Sequence, residues 1–178
     1  MDKIRFPGPA ASMLLKTSGA WYATTTIGSR VCVFRRDGPI VEDYDGFRFI
    51  DFHCDASVNN LGGNHPAITE ALLDQIATGN IFSEHHNAPN LHAVELARLL
   101  TTKSPVPRPA KVYFGNSGAE ANETAIKICQ ATRRRKGEFL KRRTICFKDA
   151  FHGRTLGILP CTNSKPETQR DPFWNACD

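Results

Sequence analysis

Val112-Tyr113-Phe114-Gly115-Asn116-Ser117-Gly118-Ala119-Glu120-Ala121-Asn122-Glu123 decides how this chain is read. An apolar strand ends, small residues turn the chain sharply, and a helix begins. The helix's unpaired N–H groups and the positive end of its dipole then converge on one spot. A phosphate suits that spot, because Gly118 and Ala119 offer almost no side chain to block close approach and Ser117 carries a hydroxyl. The same residues also read as an S-x-x-E capping box, in which Ser117 and Glu120 satisfy each other's backbone donors without any ligand. No Gly-Lys-Ser/Thr follows and the spaced glycines of a dinucleotide fingerprint are missing, so ATP and NAD are disfavoured.

Downstream, a helix is expected from about Gly118 to Arg133, then a strand over Thr144 to Phe147. With the strand at Lys111 to Phe114 this makes a βαβ unit and implies parallel pairing. After the second strand comes Ala150-Phe151-His152-Gly153-Arg154-Thr155, at the strand end where open α/β sheets receive ligands. Phe151 supplies a flat apolar face and Arg154 a fork for a carboxylate.

Upstream of the deciding stretch, Thr101 to Pro109 holds three prolines and marks a break. Before it, Asn90 can cap a helix running to about Leu100, with Leu91, Val94, Leu96, Ala97 and Leu100 as its apolar stripe. Ile81 to Pro89 reads as a loop. Pro66 opens a helix in which Ile68, Ala71, Leu72 and Ile76 recur at helical spacing until Gly79-Asn80, so one face is expected to be buried. Residues up to about 60 read as β-rich: Arg30 to Phe34, Ile40-Val41 and Phe47 to Phe52, with turns at Asp37-Gly38-Pro39 and Asp45-Gly46, predict a small antiparallel meander. The expected organisation is a β-rich part over residues 1–62, a helical connection over 63–109, and the start of a larger α/β domain over 110–178.

Composition sets the outer limits. The chain has 178 residues, 40% hydrophobic and 23% charged, which is enough for a folded core. No run of about 18 apolar residues appears, so no membrane association is expected. Pro7, Gly8 and Pro9 stand where a secretory signal would need an apolar stretch, so the expected location is cytoplasmic. The excess of 23 basic over 18 acidic residues is local. Removing Arg133 to Arg143, with seven basic and one acidic residue, leaves 16 against 17. That stretch reads as a solvated helix end, and no nucleic-acid partner is expected. The six cysteines, at 32, 54, 129, 146, 161 and 177, form no C-x-x-C pair and read as free, mostly buried thiols. Neither Cys54 with His53 nor His85-His86 has the spacing of a metal site, and no metal is expected.

Taken together, the Val112 to Glu123 stretch, Ala125-Ile126-Lys127 and Ala150 to Gly157 resemble the class III aminotransferases that use pyridoxal 5'-phosphate. Tyr44-Asp45-Gly46, Phe49-Ile50-Asp51-Phe52 and Gly62-Gly63-Asn64-His65-Pro66 follow the family's order. Pro7-Gly8-Pro9-Ala10, Ser164-Lys165 and Gln169-Arg170 look most like the 4-aminobutyrate aminotransferase branch, with the acetylornithine and ornithine enzymes close behind. The resemblance implies the N-terminal part of a fold type I pyridoxal-phosphate-dependent transferase: a small antiparallel meander and the beginning of a mixed or parallel-sheet α/β domain. It implies that Ser117, Gly118 and Ala119 hold the cofactor phosphate, that Phe151 stacks on the pyridine ring with His152 beside it, and that Arg154 receives a substrate carboxylate. Ala56 falls at a substrate-lining position.

Two residues depart from the family pattern. Asp55 and Gly63 stand where the family usually has glycine and histidine. The family's Schiff-base lysine and the aspartate that holds the pyridine nitrogen have no counterpart among the 178 residues, so no catalytic residue is assigned. Lys165 lies in a polar Asn-Ser-Lys-Pro stretch and is no substitute. The expectation is therefore a portion of an aminotransferase that moves an amino group from an ω-amino acid such as 4-aminobutyrate to a 2-oxo acid. It is expected to be inactive alone and, in its full-length form, a homodimer. An acetylornithine or ornithine aminotransferase, a class III racemase, and a non-catalytic phosphate-binding or interaction domain of the same ancestry are the alternatives.

Overall fold

A computed structural model describes residues 5–23, 29–79, 88–140 and 143–164. The chain divides into two compact units, Met1–Glu84 and His85–Asp178.

The first unit opens with a helix, α1 (Pro9–Trp21), where the sequence reads as β-rich. Gly8 has no side chain to cap it. The cap comes from far along the chain: both carboxylate oxygens of Asp45 accept from the first turn, from Ala10 N and from Ala11 N, each at 2.8 Å. A local reading of Pro7 to Ala10 has no access to that partner. The predicted meander follows as β1 (Val33–Asp37), β2 (Ile40–Asp43) and β3 (Arg48–Ile50), antiparallel and in that order. β1 begins three residues later than Arg30 and carries an irregularity between Val33 and Arg35. Both turns lie where expected, with Gly38 at φ 51° and Gly46 at φ 82°. Asp43, almost fully buried, holds the second turn by accepting from the N–H groups of Asp45 and Phe47, each at 2.9 Å.

Cys54–Ser57 then makes one left-handed turn, with φ between 49° and 71° at all four residues. Asp55 and Ala56 both lie in it, so aspartate occupies, at φ 52°, a position where the family's usual glycine would carry no strain. Asp51 anchors the turn's entry by accepting from His53 N and Cys54 N and pairing with Arg36. Helix α2 (Pro66–Ala77) starts at Pro66 as predicted. Its apolar face is not buried, contrary to expectation: Ile68, Leu72 and Ile76 are all exposed. The periodicity fixes which face is apolar, but a covering surface has to come from elsewhere, and no described residue buries it.

In the second unit, α3 (Leu91–Lys103) is capped by Asn90, whose Oδ1 accepts from Ala93 N at 3.1 Å, and runs three residues past Leu100. Helix α4 (Gly118–Arg135) is the helix announced by the deciding stretch. It ends in a Schellman turn, with Gly137 N bonded to Arg134 O and Glu138 N to Arg133 O, Gly137 being at φ 74°. Arg133, Arg134 and Arg135 fill its last turn and are solvated, as read from the sequence.

The two flanking strands of the expected βαβ unit are not found. Lys111 to Phe114 and Thr144 to Phe147 lie outside any sheet among the described residues. Thr144, Ile145 and Cys146 nevertheless lie near α4, since they share a small cavity with its Ala125 and Ile126. A strand is defined by its ladder partner, and helix packing alone does not create one. Gly153 and, around the 3₁₀ turn Leu159–Cys161, Ile158, Leu159, Cys161 and Thr162 are the described buried residues of this unit. Among the described residues the cysteines are mostly not buried: only Cys161 is, Cys129 is exposed, and Cys32, Cys54 and Cys146 are intermediate. His85-His86, Lys165, Gln169, Arg170 and Cys177 fall outside the described residues, as does most of the Ile81 to Pro89 stretch.

Candidate functional site

Ser117 caps α4. Its Oγ accepts from Glu120 N at 3.2 Å, one half of the expected capping box. The other half is displaced by one residue, since Glu120 Oε2 accepts from Asn116 N at 2.7 Å and not from Ser117. The cap therefore uses the N–H groups of Asn116 and Glu120 and leaves those of Gly118 and Ala119 with no acceptor among the described residues. A Cβ built on Gly118 would meet nothing within 4 Å, so its side-chain position is open. Capping box and anion cradle, alternatives in the sequence, coexist in the structure.

The aromatic segment lies against this turn. Gly153, at φ 130°, approaches α4 so closely that a Cβ there would sit 2.9 Å from Ala119 Cα and 2.8 Å from Ile158 Cγ2. Only glycine allows that contact, and it brings the two motifs together. The result is a hollow of about 640 Å³, a size typical of small-molecule sites. Ser117, Gly118 and Ala119 line it together with Phe151, His152 and Arg154. All six second-unit residues singled out from the sequence thus border one space. Ala56, the seventh, lies in the first unit, exposed in the left-handed turn.

Inside the hollow, the Arg154 guanidinium carbon stands 5.4 Å from the centroid of the Phe151 ring, a cation–π arrangement. Both side chains are exposed, so the arginine is able to exchange the ring for an incoming anion. Asn122, Gly153 and Thr155 also line the hollow, and the sequence reading gives them no role. Asn122 and Thr155 sit inside the quoted motifs, but their partners are each other's segments and become visible only in three dimensions. Behind the loop, Thr162 is fully buried; its Oγ1 accepts from His152 N at 3.1 Å and donates to Gly153 O. Nothing local in Thr162's sequence neighbourhood points to that support.

Residues 22–174 match the family profile described as Aminotransferase class-III. The chain belongs to the class III aminotransferases. Acetylornithine aminotransferase of Streptomyces clavuligerus is 39% identical over 140 residues, covering 78% of this chain and 32% of that protein. The enzyme of the same name from Caldanaerobacter subterraneus is 35% identical over 139 residues, covering 76% and 33%. The crystal structure of the omega transaminase from Pseudomonas jessenii in complex with PMP superimposes with a TM-score of 0.77 at 24% identity, over 88% of this chain and 36% of that one. That likeness shows the fold, the N-terminal part of a fold type I transferase, as expected. This class III chain spans about a third of the length of the relatives it matches. These relatives carry the acetylornithine name, the alternative raised above, and give no specific support to 4-aminobutyrate. The cofactor of the class is pyridoxal 5'-phosphate, and the residues of the hollow fit it: paired donors without an acceptor among the described residues at a helix N-terminus, a hydroxyl beside them, and an aromatic ring in the same lining.

Proposed function

We propose that this chain provides the phosphate cup, the ring-stacking face and one carboxylate clamp of an acetylornithine-type aminotransferase. The observation that carries the reading is the shared hollow, lined both by the residues of two acceptor-free N–H groups at a helix N-terminus and by an aromatic ring and an arginine. In this reading Gly118 N and Ala119 N donate to the phosphate monoester, and Ser117 Oγ adds a third contact while keeping its cap. Phe151 presents its ring to the pyridine, with His152 beside it. Arg154 leaves the Phe151 face and takes the carboxylate of the amino acid or 2-oxo acid, fixing the reacting carbon relative to the ring. When bound, the cofactor supplies the electron sink that lets an amino group leave one carbon and join another.

No lysine lines the hollow among the described residues, so what these residues contribute is binding and orientation. Homodimerisation and a cytoplasmic location belong to the same proposal, by analogy with the family. An acetylornithine-type donor is favoured over 4-aminobutyrate by the names of the relatives at 35–39% identity. The test is titration of the purified chain with pyridoxal 5'-phosphate, followed by absorbance and competed with inorganic phosphate. Saturable binding that phosphate displaces and that S117A weakens supports the cup. Binding insensitive to phosphate and to Ser117 refutes it. Calorimetric titration of N-acetylornithine and 4-aminobutyrate into the chain loaded with pyridoxamine phosphate separates the two donors.

A further inference from the structure

Two side chains of α4 grip the aromatic loop one turn beyond the phosphate cup. Asn122 Nδ2 donates to the His152 carbonyl at 2.8 Å, across 30 residues of sequence. Glu123 Oε1 accepts from Thr155 Oγ1, across 32 residues. The two ties, at His152 and Thr155, bracket Arg154, and the first lies one residue beyond the ring of Phe151. Gly157 makes room for the second tie, since a Cβ there would come within 2.9 Å of the Glu123 carboxylate. Among the described residues Glu123 has no ion-pair partner, so its acceptor serves a hydroxyl of the loop and not a surface cation.

We propose that Asn122 and Glu123 are positioning residues that clasp the loop to α4 and set the distance between the phosphate cup and the aromatic face. The chemistry requires such a device. Phosphate and ring belong to one rigid ligand, so the cup and the stacking face must be held in register before binding, or the ligand must spend affinity on ordering the loop. Helix N–H groups are fixed by the helix itself, whereas a loop needs tethers. Thr162 holds the loop's backbone from behind, and Asn122 and Glu123 hold it to the helix. As regards ligand, this proposal rests on the cofactor reading above; the clasp itself does not.

The test has two arms. In the first, amide hydrogen exchange is followed by mass spectrometry on the chain without ligand. N122A and E123A are expected to raise exchange over residues 151–157 about three- to tenfold, the factor one hydrogen bond is worth. Residues 124–135 should be unchanged. E123Q keeps an acceptor oxygen and should behave as the wild type, T155V should mimic E123A, and the E123A/T155V pair should be no worse than either alone. In the second arm, N122A and E123A should weaken pyridoxal 5'-phosphate by a similar factor while changing inorganic phosphate less than twofold. The clasp is overturned by unchanged exchange over 151–157, by a rise spread equally along α4, by E123Q behaving as E123A, or by equal losses for both ligands. If the wild type takes up neither ligand, the cofactor reading fails, and the exchange arm still decides the clasp.

Discussion

Replacing Gly153 by alanine tests the contact that joins the two motifs. At φ 130° a residue with a Cβ sits in a region open essentially to glycine alone, at a cost of about 1–3 kcal/mol. The new methyl would also lie 2.6 Å from Ala119 Cβ, 2.9 Å from Ala119 Cα and 2.8 Å from Ile158 Cγ2. None of these atoms is the free end of a flexible side chain, so the overlap adds a further ~1–3 kcal/mol. The sum, about 4 kcal/mol, is a large share of the 5–15 kcal/mol that stabilises a typical domain. With a urea slope of about 2 kcal/mol/M, the unfolding midpoint should fall by about 2 M, followed by circular dichroism. Gly118→Ala is the contrasting variant. Its Cβ meets nothing within 4 Å, so the midpoint should stay within about 0.3 M, while phosphate affinity drops because the methyl enters the cup. A G153A chain that unfolds at the wild-type midpoint and binds phosphate as tightly would show that the loop does not pack on Ala119.

Three other outcomes follow from the same structure. Asp55→Gly should stabilise the chain by about 1 kcal/mol, read as a higher urea midpoint, because it relieves a non-glycine residue at φ 52°; no gain would mean the turn is not left-handed there. Asp51 is held below its ordinary pKa of 3.8 by the N–H groups of Cys54 and His53 and by Arg36. Its contribution is therefore complete above pH 3.8 and disappears as the pH falls through the lower folded value, so Asp51→Asn should flatten the fall in urea midpoint on acidification below pH 4. Burial, with the neighbouring Cys146 thiol, pushes Cys161 up from 9.0 to about 11. At pH 8 that leaves roughly 100-fold less thiolate than an ordinary cysteine, so a disulfide reagent should label the exposed Cys129 first and Cys161 last, checked by peptide mapping.

How far the sequence could be read depended on how local each signal was. The capped turn into α4 needed only neighbours: Ser117 reaches Glu120, three residues away, and the helix dipole follows from the helix itself. The meander was legible for the same reason, its turns being fixed by Gly38 and Gly46. α1 was not, because its cap comes from Asp45, across 35 residues. The burial of α2's apolar face and the ladders of the strands beside α4 are not found among the described residues, since both depend on surfaces that the pattern demands without supplying.

By itself, then, the sequence determined that a capped helix N-terminus of small residues stands ahead of an aromatic and an arginine, because short-range hydrogen bonding and backbone freedom dictate those features; that the cap leaves two donors over was settled by the structure. Only the tertiary structure decided that they face the same hollow. That requires Gly153 to touch Ala119 and Asn122 to reach the His152 carbonyl, contacts made across about thirty residues of chain that no local preference can specify.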